Sequence, residues 1–257
     1  MSDRYLVRAA VAPLLAEPRA GAEQVSQRVS GHVVELLEER SPWLRVRGAD
    51  QYEGWMHSGY TEPLTAALER RYDAARVSLG CMVREPSGRH RALPLGALLA
   101  SDDVVERGEA LRADQLRARF PVSSDSITRA AIELFEDTPY QWGGITPWGA
   151  DCSGLVQTIF ALHGIGMPRD ARDQAAAARD AGDDLTEARG ADLLFFSDRP
   201  DRRITHVAIA LGDMRAVHLA IGRGGYAVER LDATGDPYVA ALVGRFLYLR
   251  RPELRAR

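Results

Sequence analysis

The sequence predicts an α+β protein in which two small β-barrels precede a domain built of helices and an antiparallel sheet. Short apolar runs separated by turn residues fill the first part of the chain, and a helix-cap pattern follows them. After Gly190 the apolar residues recur with a period of two, as they do in strands. A chain of 257 residues is long enough for this arrangement, and we place the domains at 1–66, 67–122 and 123–257.

The first predicted barrel contains short β-like runs between turn residues such as Glu17 and Pro18. These runs are 5–11, 25–29, 32–38, 43–46 and 54–57. A polar link at 66–71 leads to a second β-rich stretch, with runs at 75–83, 91–99 and 103–111. Because short strands at such spacing are typical of small barrels, we predict a second barrel there.

The third predicted domain begins with helices. Ser123 and Asp151 are each placed to cap a helix, and the second of these begins at Cys152 and ends at Gly164. A further helix is expected at 175–181. The strand candidates that follow are 192–196, 206–211, 216–220, 226–231 and 244–249. Helices followed by a strand meander predict an antiparallel sheet.

Composition excludes several classes of partner. The net charge is −3 and the basic residues form no cluster, so we expect neither a nucleic acid nor an anionic membrane as partner. The apolar segment 7–15 is interrupted by Arg8 and Pro13, which is not the pattern of a secretory signal, and we therefore expect a cytoplasmic protein. The two cysteines, Cys81 and Cys152, are predicted to be free thiols, with Cys81 an inert core residue.

One thiol and two histidines carry the predicted chemistry. Cys152 stands at the expected helix N-terminus, His206 begins an apolar strand, and His218 lies on the next strand of the same hairpin. A thiolate can attack a carbonyl while one imidazole takes the proton and another polar group orients that imidazole. We expect the helix N-terminus to lower the pKa of the thiol, and the hairpin to bring His218 to His206. A purely structural role and zinc binding are the alternatives, although the spacings fit no short zinc motif.

Several segments, in this order along the chain, resemble the NlpC/p60 family of papain-like cysteine peptidases of bacterial cell-wall peptides. They are 138–144 (TPYQWGG), 151–156 (DCSGLV), 168–170 (PRD), 190–196 (GADLLFF) and the strands that carry His206 and His218. The resemblance extends over 123–250 and implies a papain-like catalytic domain.

The resemblance also implies a role for each matching residue. Cys152 is the nucleophile, His206 is the general base and then the acid that protonates the leaving amine, and His218 orients His206. Tyr140 corresponds to a tyrosine whose hydroxyl helps to bind the oxyanion, beside the backbone N–H of Cys152. A packed aromatic residue without such a role is the alternative for Tyr140.

The N-terminal part resembles the first bacterial SH3-like barrel of one subgroup of this family, in which two such barrels precede the peptidase domain. The matching segments are 17–18, Gln27, Gly31, 43–46 and 52–55. That subgroup cleaves the bond between γ-D-glutamate and an L-diamino acid in murein peptides with a free N-terminal L-alanine. There a Glu and a Tyr hold the amino group of the substrate, and Glu17 and Tyr52 occupy the matching positions. A surface Glu and a Tyr at the edge of the core are the alternative.

By the same resemblance, Asp151 and Ser153 contact the Ala-γ-D-Glu portion of the substrate, although Asp151 can equally be only a helix cap. Relatives often have a serine after the Pro-Arg-Asp segment, where this chain has Ala171. One hydrogen bond to the D-Glu carboxylate is then lost, or Arg169 or Arg172 supplies it.

Our leading hypothesis is a monomeric, cytoplasmic endopeptidase of murein tri- or tetrapeptides that needs neither cofactor nor metal and acts in cell-wall recycling. An envelope hydrolase of intact peptidoglycan, a non-catalytic muropeptide-binding protein, and a thiol acyltransferase or amidase are the alternatives. Export, binding without turnover, or transfer of the acyl group to another nucleophile would distinguish them.

Overall fold

Short amphipathic strands build the first part of the chain. The computed structural model describes residues 3–233 and 235–255, so the first two and the last two positions of the predicted domains lie outside the described residues. The chain divides into two units, 1–119 and 120–257. The first sheet of unit 1 has the strand order β3-β2-β6-β5-β4-β1-β7. Its strands are β1 (Arg4–Val7), β2 (Val11–Leu15), β3 (Gln24–Val29), β4 (Val33–Arg40), β5 (Trp43–Arg47), β6 (Glu53–His57) and β7 (Thr61–Pro63).

The prediction of a single strand at 5–11 is wrong, because the chain turns between β1 and β2. The backbone N–H groups of Arg8 and Ala9 both donate to the carbonyl of Tyr60, which takes them out of any strand pairing. The expected polar link at 66–71 is also wrong: it forms the helix α1 (Ala66–Arg71), which the Thr65 hydroxyl caps by accepting from the N–H of Leu68 at 3.2 Å.

The second β-rich stretch forms a three-stranded antiparallel sheet, which α2 (Ala113–Arg119) follows. Its strands, in the order β10-β8-β9, are β8 (Arg76–Arg84), β9 (His90–Leu99) and β10 (Val104–Leu111). This sheet joins the first one through the Leu98 N–H, which donates to the carbonyl of Ser30 (2.8 Å), and through His32 Nε2, which lies 3.2 Å from the carbonyl oxygen of Gly96. The two sheets therefore belong to one unit, and the division into separate barrels at 66/67 stays a prediction.

Unit 2 places helices against a six-stranded antiparallel sheet of order β13-β18-β14-β15-β16-β17. The helices are α3 (Ser124–Leu134), α4 (Cys152–Leu162), α5 (Ala171–Ala177) and α6 (Pro237–Val243). The strands of the sheet are β13 (Arg179–Gly182), β14 (Leu193–Phe196), β15 (His206–Gly212), β16 (Arg215–Ala220), β17 (Gly225–Arg230) and β18 (Phe246–Arg251). A small hairpin, β11 (Ile145–Thr146) and β12 (Gly149–Ala150), precedes α4.

The predicted caps of the helices in unit 2 are confirmed. Ser123 caps α3 and Asp151 caps α4, and Gly164 follows α4 with a left-handed φ of 74°. The expected helix at 175–181 is wrong beyond Ala177, because 179–182 pairs with β18 as an edge strand and thereby satisfies its backbone groups in the sheet.

The apolar face of α4 decides where Cys152 lies. Leu155, Val156, Ile159 and Phe160 are fully buried, and the helix packs against β15 and β16. Each such side chain contributes roughly 1.5–3 kcal/mol of burial free energy. The N-terminus of α4 is thereby held beside the strands that carry the two histidines. In the described parts of the chain, no helix combines the length and the apolar character that crossing a membrane requires.

Candidate active site

The cap of α4 places the Cys152 thiol. The Asp151 carboxylate accepts a hydrogen bond from the N–H of Gly154 (2.7 Å), which fixes the first helical turn. The backbone N–H groups of Val207 and Ser153 favour the ionised form of the Cys152 sulfur, which places the thiol near the beginning of β15. Cys152 is 7% exposed, which leaves its sulfur almost entirely surrounded by protein.

Burial dominates the acidity of this thiol. It raises the pKa of Cys152 to about 12, and the charge of Asp151 raises it further, against smaller lowering effects of the Val207 N–H and of Arg169. The expected lowering by the helix N-terminus is therefore wrong in sign, because desolvation of a buried thiolate outweighs the helix dipole. The resting residue is a thiol, and a thiolate forms only when a neighbouring base takes the proton.

The two histidines lie within hydrogen-bonding distance, as the hairpin predicts. His206 Nε2 is 2.8 Å from His218 Nδ1. Because this bond uses Nε2 of His206, its Nδ1 is the nitrogen that remains for proton exchange with another group. Burial lowers the pKa of His206 to about 3, so that this ring is a neutral imidazole at neutral pH.

A carboxylate lies behind the second histidine. The strand register pairs His218 of β16 with Ala227 of β17, so Glu229 is the diagonal neighbour of His218 on the same face of the sheet. Glu229 Oε1 is 3.6 Å from His218 Nε2, and both side chains are buried. Among the residues that the structure describes, Nε2 of His218 has no hydrogen-bond partner.

Arg223 and Asp236 hold this carboxylate in place. Arg223 donates to both carboxylate oxygens of Glu229 (2.7 and 3.0 Å) and to Asp236 Oδ2 (2.7 Å). Its guanidinium lies over the ring of Tyr238, which packs edge-on against His218. The pKa of Glu229 is lowered to about 2, first by His218 and then by Arg223, against the opposing effect of burial. We call His218, Glu229, Arg223 and Asp236 the base cluster.

A second buried charge cluster lies beside the nucleophile. Arg169 donates to both oxygens of the Asp151 carboxylate, at 3.0 and 2.6 Å, and to Ser153 Oγ at 2.8 Å. The Ser153 hydroxyl donates to Asp151 Oδ1 (3.2 Å), and the N–H of Gly143 donates to Oδ2 (2.8 Å). We call Asp151, Ser153 and Arg169 the nucleophile cluster. Asp151 and Ser153, the two predicted substrate contacts, therefore already make short hydrogen bonds within the protein.

The environment of Ala171 also differs from the expectation. The Arg169 side chain is 1% exposed and bound to Asp151, so it does not replace the missing serine hydroxyl. Arg172 is exposed and pairs with Asp173 at 3.1 Å. Of the two candidates, Arg172 is therefore the one whose guanidinium is open to solvent.

Tyr140 connects the two sides of the site. Its N–H donates to the carbonyl of Gly224 (3.0 Å), next to β17, and its backbone pairs with Ala150, just before α4. The preceding Pro139 pairs with Gly225. Burial, followed by the charge of Cys152, raises the pKa of the Tyr140 phenol, so that its hydroxyl stays protonated and can donate a hydrogen bond.

Glu17 and Tyr52 belong to unit 1. Glu17 is exposed just after β2, and Tyr52 is half-buried just before the neighbouring strand β6. The Glu17 carboxylate accepts from Arg19 at 3.0 Å, and this contact lowers the pKa of Glu17. The two residues thus lie at the same end of two adjacent strands, with Glu17 ionised at neutral pH.

Sequence reasoning misses Glu229 and Arg223 as residues near the site. The available signal is the alternation in 226–231, which places Glu229 on the same face as Ala227 and Leu231, where a charged side chain needs a partner. Its partner Arg223 comes from a short turn (Ile221–Arg223) before β17, and no period predicts that position. In the described residues, no three His, Cys, Asp or Glu side chains are grouped so that they could hold a metal ion.

The helix that begins with the thiol packs against the strand that carries a neutral imidazole, which a second imidazole holds. A thiol with such a base can attack a carbonyl and form a thioester. The helix that carries the thiol and the strands that carry the imidazoles belong to one α+β domain. This is the arrangement of the papain-like cysteine peptidases, and it is the class of protein that the fold and the site define.

Comparisons with known proteins agree with this class. The NlpC/P60 family pattern matches residues 137–239, and the bacterial SH3 domain pattern matches residues 10–62. Gamma-D-glutamyl-L-lysine dipeptidyl-peptidase of Bacillus cereus is 24% identical over 253 residues, which cover 87% of this chain and 75% of that protein. Dipeptidyl-peptidase 6 of Lysinibacillus sphaericus is 28% identical over 257 residues, which cover 88% of this chain and 91% of that protein.

A crystal structure of an NlpC/P60 family protein from Bacillus cereus has the same fold. It gives a TM-score of 0.79 at 18% identity, with 98% of this chain and 100% of that chain covered. The chain has an NlpC/P60 domain at 137–239 and a bacterial SH3 domain at 10–62, and it is a cysteine peptidase. The predicted family, fold class and enzyme class are confirmed.

Proposed function

We propose that this enzyme hydrolyses the bond between γ-D-glutamate and an L-diamino acid in murein peptides that have a free N-terminal L-alanine. The observation that carries the proposal is the partly buried His206–His218 pair, bonded at 2.8 Å in an NlpC/P60 domain whose helix α4, beginning with Cys152, packs against β15. Relatives named gamma-D-glutamyl-L-lysine dipeptidyl-peptidase, from Bacillus cereus and Bacillus subtilis, support the class of substrate.

In this proposal Cys152 is the nucleophile and His206 is the base. The thiol proton passes to Nδ1 of His206 while the sulfur attacks the γ-carbonyl carbon of D-Glu. The C–N bond then breaks as His206 returns the proton to the leaving amine, and water hydrolyses the thioester with His206 again as base. The Nε2–H of His206 donates to Nδ1 of His218 both before and after the proton transfer, and His218 thereby holds the neutral ring and then the imidazolium in place.

Two further groups are proposed to act on the substrate. The Tyr140 hydroxyl and the Cys152 N–H donate to the developing oxyanion, and the raised pKa of Tyr140 supports a phenol that keeps its proton. Asp151 and Ser153 line the subsite for the Ala-γ-D-Glu portion, and their hydrogen bonds to Arg169 keep them in position.

Glu17 and Tyr52 are proposed to receive the N-terminal ammonium of the substrate. A carboxylate and a phenol oxygen can both accept protons from an ammonium group. The lowered pKa of Glu17 supports an ionised partner at neutral pH, and the exposed Arg19 is the cation that a substrate would displace. An acylated alanine has no such charge and would be rejected.

Mass spectrometry of products tests the proposal. The substrates are L-Ala-γ-D-Glu-meso-diaminopimelate, its L-Lys counterpart, and the N-acetylated form of each, with Cys152→Ala as the inactive control. Release of L-Ala-D-Glu from the free peptides alone is expected, and the preferred third residue identifies the diamino acid. Equal cleavage of acetylated peptides would contradict the roles of Glu17 and Tyr52. Cleavage of none, by a protein whose thiol is intact, would contradict the substrate class and favour a wall hydrolase or a binding protein.

We also propose that the enzyme is a cytoplasmic monomer that recycles free murein peptides. In the intact wall the alanine of the stem peptide is acylated, so an ammonium site would select released peptides. Cell fractionation and light scattering test the location and the oligomeric state. Secretion of the enzyme together with release of peptides from intact sacculi would contradict this role.

A further inference from the structure

We propose that Glu229 is a positioning residue of the peptidase. Its carboxylate fixes His218 as the neutral Nε2–H tautomer, so that Nδ1 of His218 can accept a hydrogen bond from Nε2–H of His206. This inference rests on the roles proposed above for Cys152, His206 and His218. It concerns a residue of β17 that lies two strands away from His206.

The positions of the protons require one particular tautomer. When His206 carries the proton from the thiol, its Nε2–H must point to Nδ1 of His218, 2.8 Å away. A neutral imidazole has one donor and one acceptor nitrogen, so His218 then carries its hydrogen on Nε2. Glu229 Oε1 lies 3.6 Å from Nε2 of His218, on the side opposite His206, and favours a hydrogen at that nitrogen.

The rest of the base cluster limits the effect of the Glu229 charge on the His218 ring. A lone buried carboxylate would favour the imidazolium form of His218, whose Nδ1–H could no longer accept from His206. Arg223 binds both oxygens of Glu229 and offsets this charge, and Asp236 holds the outer side of the guanidinium. Glu229 therefore stays ionised, stays in place, and selects the tautomer without making His218 a cation.

The groups that face His218 come from every element packed against it. His206 lies on β15, Glu229 on β17 and Tyr238 on α6. The helix α4 also packs against β16, and its titratable residue is Cys152. Only Glu229 among them places a negative oxygen near Nε2 of His218, so it is the group that can choose between the two tautomers.

Steady-state kinetics on the full chain separate positioning from mere packing. Glu229→Gln has nearly the same shape but removes the charge, and its amide can donate to Nε2 of His218 and so favour the wrong tautomer. We expect a loss of about 10- to 100-fold in kcat with little change in KM, as for other groups that orient a histidine from behind. Glu229→Asp keeps the charge and should recover part of this loss. Asp232→Asn removes an exposed carboxylate of the same region and is the control.

Two measurements without substrate make the test independent of the proposed function. The rate of Cys152 alkylation by iodoacetamide between pH 5 and 9 should fall in Glu229→Gln and recover in Glu229→Asp, because the thiolate–imidazolium pair loses its acceptor. Nitrogen-15 NMR of the imidazoles in the wild-type protein should show His218 protonated at Nε2 and not at Nδ1.

The inference fails if Glu229→Gln alkylates and turns over like the wild type. It also fails if NMR finds the hydrogen of His218 on Nδ1, or if both Glu229 variants lose activity only in proportion to their loss of thermal stability. If the murein peptides prove not to be substrates but alkylation and NMR give the expected results, the role of Glu229 stands while the proposed substrate does not.

Discussion

The two charged clusters that flank the catalytic residues are built differently. In the nucleophile cluster, Arg169 is 1% exposed and reaches Asp151 through bonds of 3.0 and 2.6 Å. In the base cluster, Arg223 is 30% exposed, and the contact between Glu229 and His218 is 3.6 Å long. Within the described residues, Nε2 of His218 also lacks a hydrogen-bond partner. One cluster is closed and tightly bonded, whereas the other is looser and reaches solvent.

The difference follows from what each side does during the proposed reaction. The nucleophile side keeps the same charges throughout, so short ion pairs can fix it without cost to turnover. On the base side, a proton arrives at His206 and leaves it in every cycle, and the surrounding charges must tolerate both states. A looser carboxylate, partly neutralised by an exposed arginine, can do this better than a tight ion pair.

Breaking the nucleophile cluster should have the largest effect on stability. Arg169→Met removes the partner of a buried carboxylate and should cost about 3–5 kcal/mol in the free energy of unfolding, because Asp151 is left charged and desolvated. Urea unfolding measures this. Arg172→Met, at an exposed arginine three residues further along, should change stability by less than about 0.5 kcal/mol. Equal effects of the two substitutions would show that the cluster is not the rigid side of the site.

Between the two clusters, Tyr140→Phe should act on chemistry and not on folding. The backbone bond of Tyr140 to Gly224 and its bridge pairing with Ala150 remain, while the donor to the oxyanion is lost. We expect kcat to fall about 100-fold or more, with the unfolding midpoint nearly unchanged. Tyr226→Phe is the matched control and should keep full activity. An unchanged kcat in Tyr140→Phe would leave only backbone donors for the oxyanion.

Breaking the base cluster should act on turnover more than on stability. Arg223→Met removes the two hydrogen bonds that hold the Glu229 carboxylate beside His218, so kcat/KM should fall about 10-fold. Because Arg223 is 30% exposed, the free energy of unfolding should drop less than in Arg169→Met, even though Glu229 is as buried as Asp151. Steady-state kinetics and urea unfolding measure the two effects. An unchanged kcat/KM would contradict this role of the arginine.

The smallest effect concerns the wild-type enzyme. Burial lowers the pKa of His206 to about 3, so the base form persists far below the usual pKa of 6.5, and kcat/KM should change less than about twofold between pH 5 and 8. Activity should disappear only as pH falls toward 3. An inflection near pH 6.5 would contradict a neutral, buried base.

Thermal stability is a poorer measure, because burial also lowers the pKa of His32 in unit 1 to about 4, and both histidines weaken the fold as pH falls below 6.5.

Much of unit 2 follows from local sequence signals. The helix ends at Ser123, Asp151 and Gly164 depend on contacts within one helical turn. The period of two in 206–220 places His206 and His218 on one face of a hairpin. Each of these features depends only on residues that are close to one another along the chain. The thiol at the N-terminus of α4 and the hairpin that carries the two histidines could therefore be predicted from the sequence, whereas their approach depends on the packing of α4 against β15.

The wrong predictions concern features that depend on contacts between residues far apart along the chain. The alanine-rich stretch 175–181 favours a helix, but pairing with β18, far along the chain, makes an edge strand of its second half. The acidity of Cys152 depends on how completely the fold encloses it, which its position at a helix N-terminus does not reveal. The roles of Arg169 and Glu229 likewise depend on partners that only tertiary packing brings near.

The backbone around Tyr140 has one more consequence. The Tyr140 N–H donates to the carbonyl of Gly224, the Tyr226 N–H donates to the carbonyl of Thr138, and a side chain at position 225 would collide with that Thr138 oxygen. The segment before the nucleophile and the turn before β17 therefore detach or stay attached together, as one cooperative piece in hydrogen exchange. Opening at this point would therefore free the segment before Cys152 and the turn that carries Arg223 together. We expect a molecule opened in this way to leave amides uncleaved until both segments have reattached.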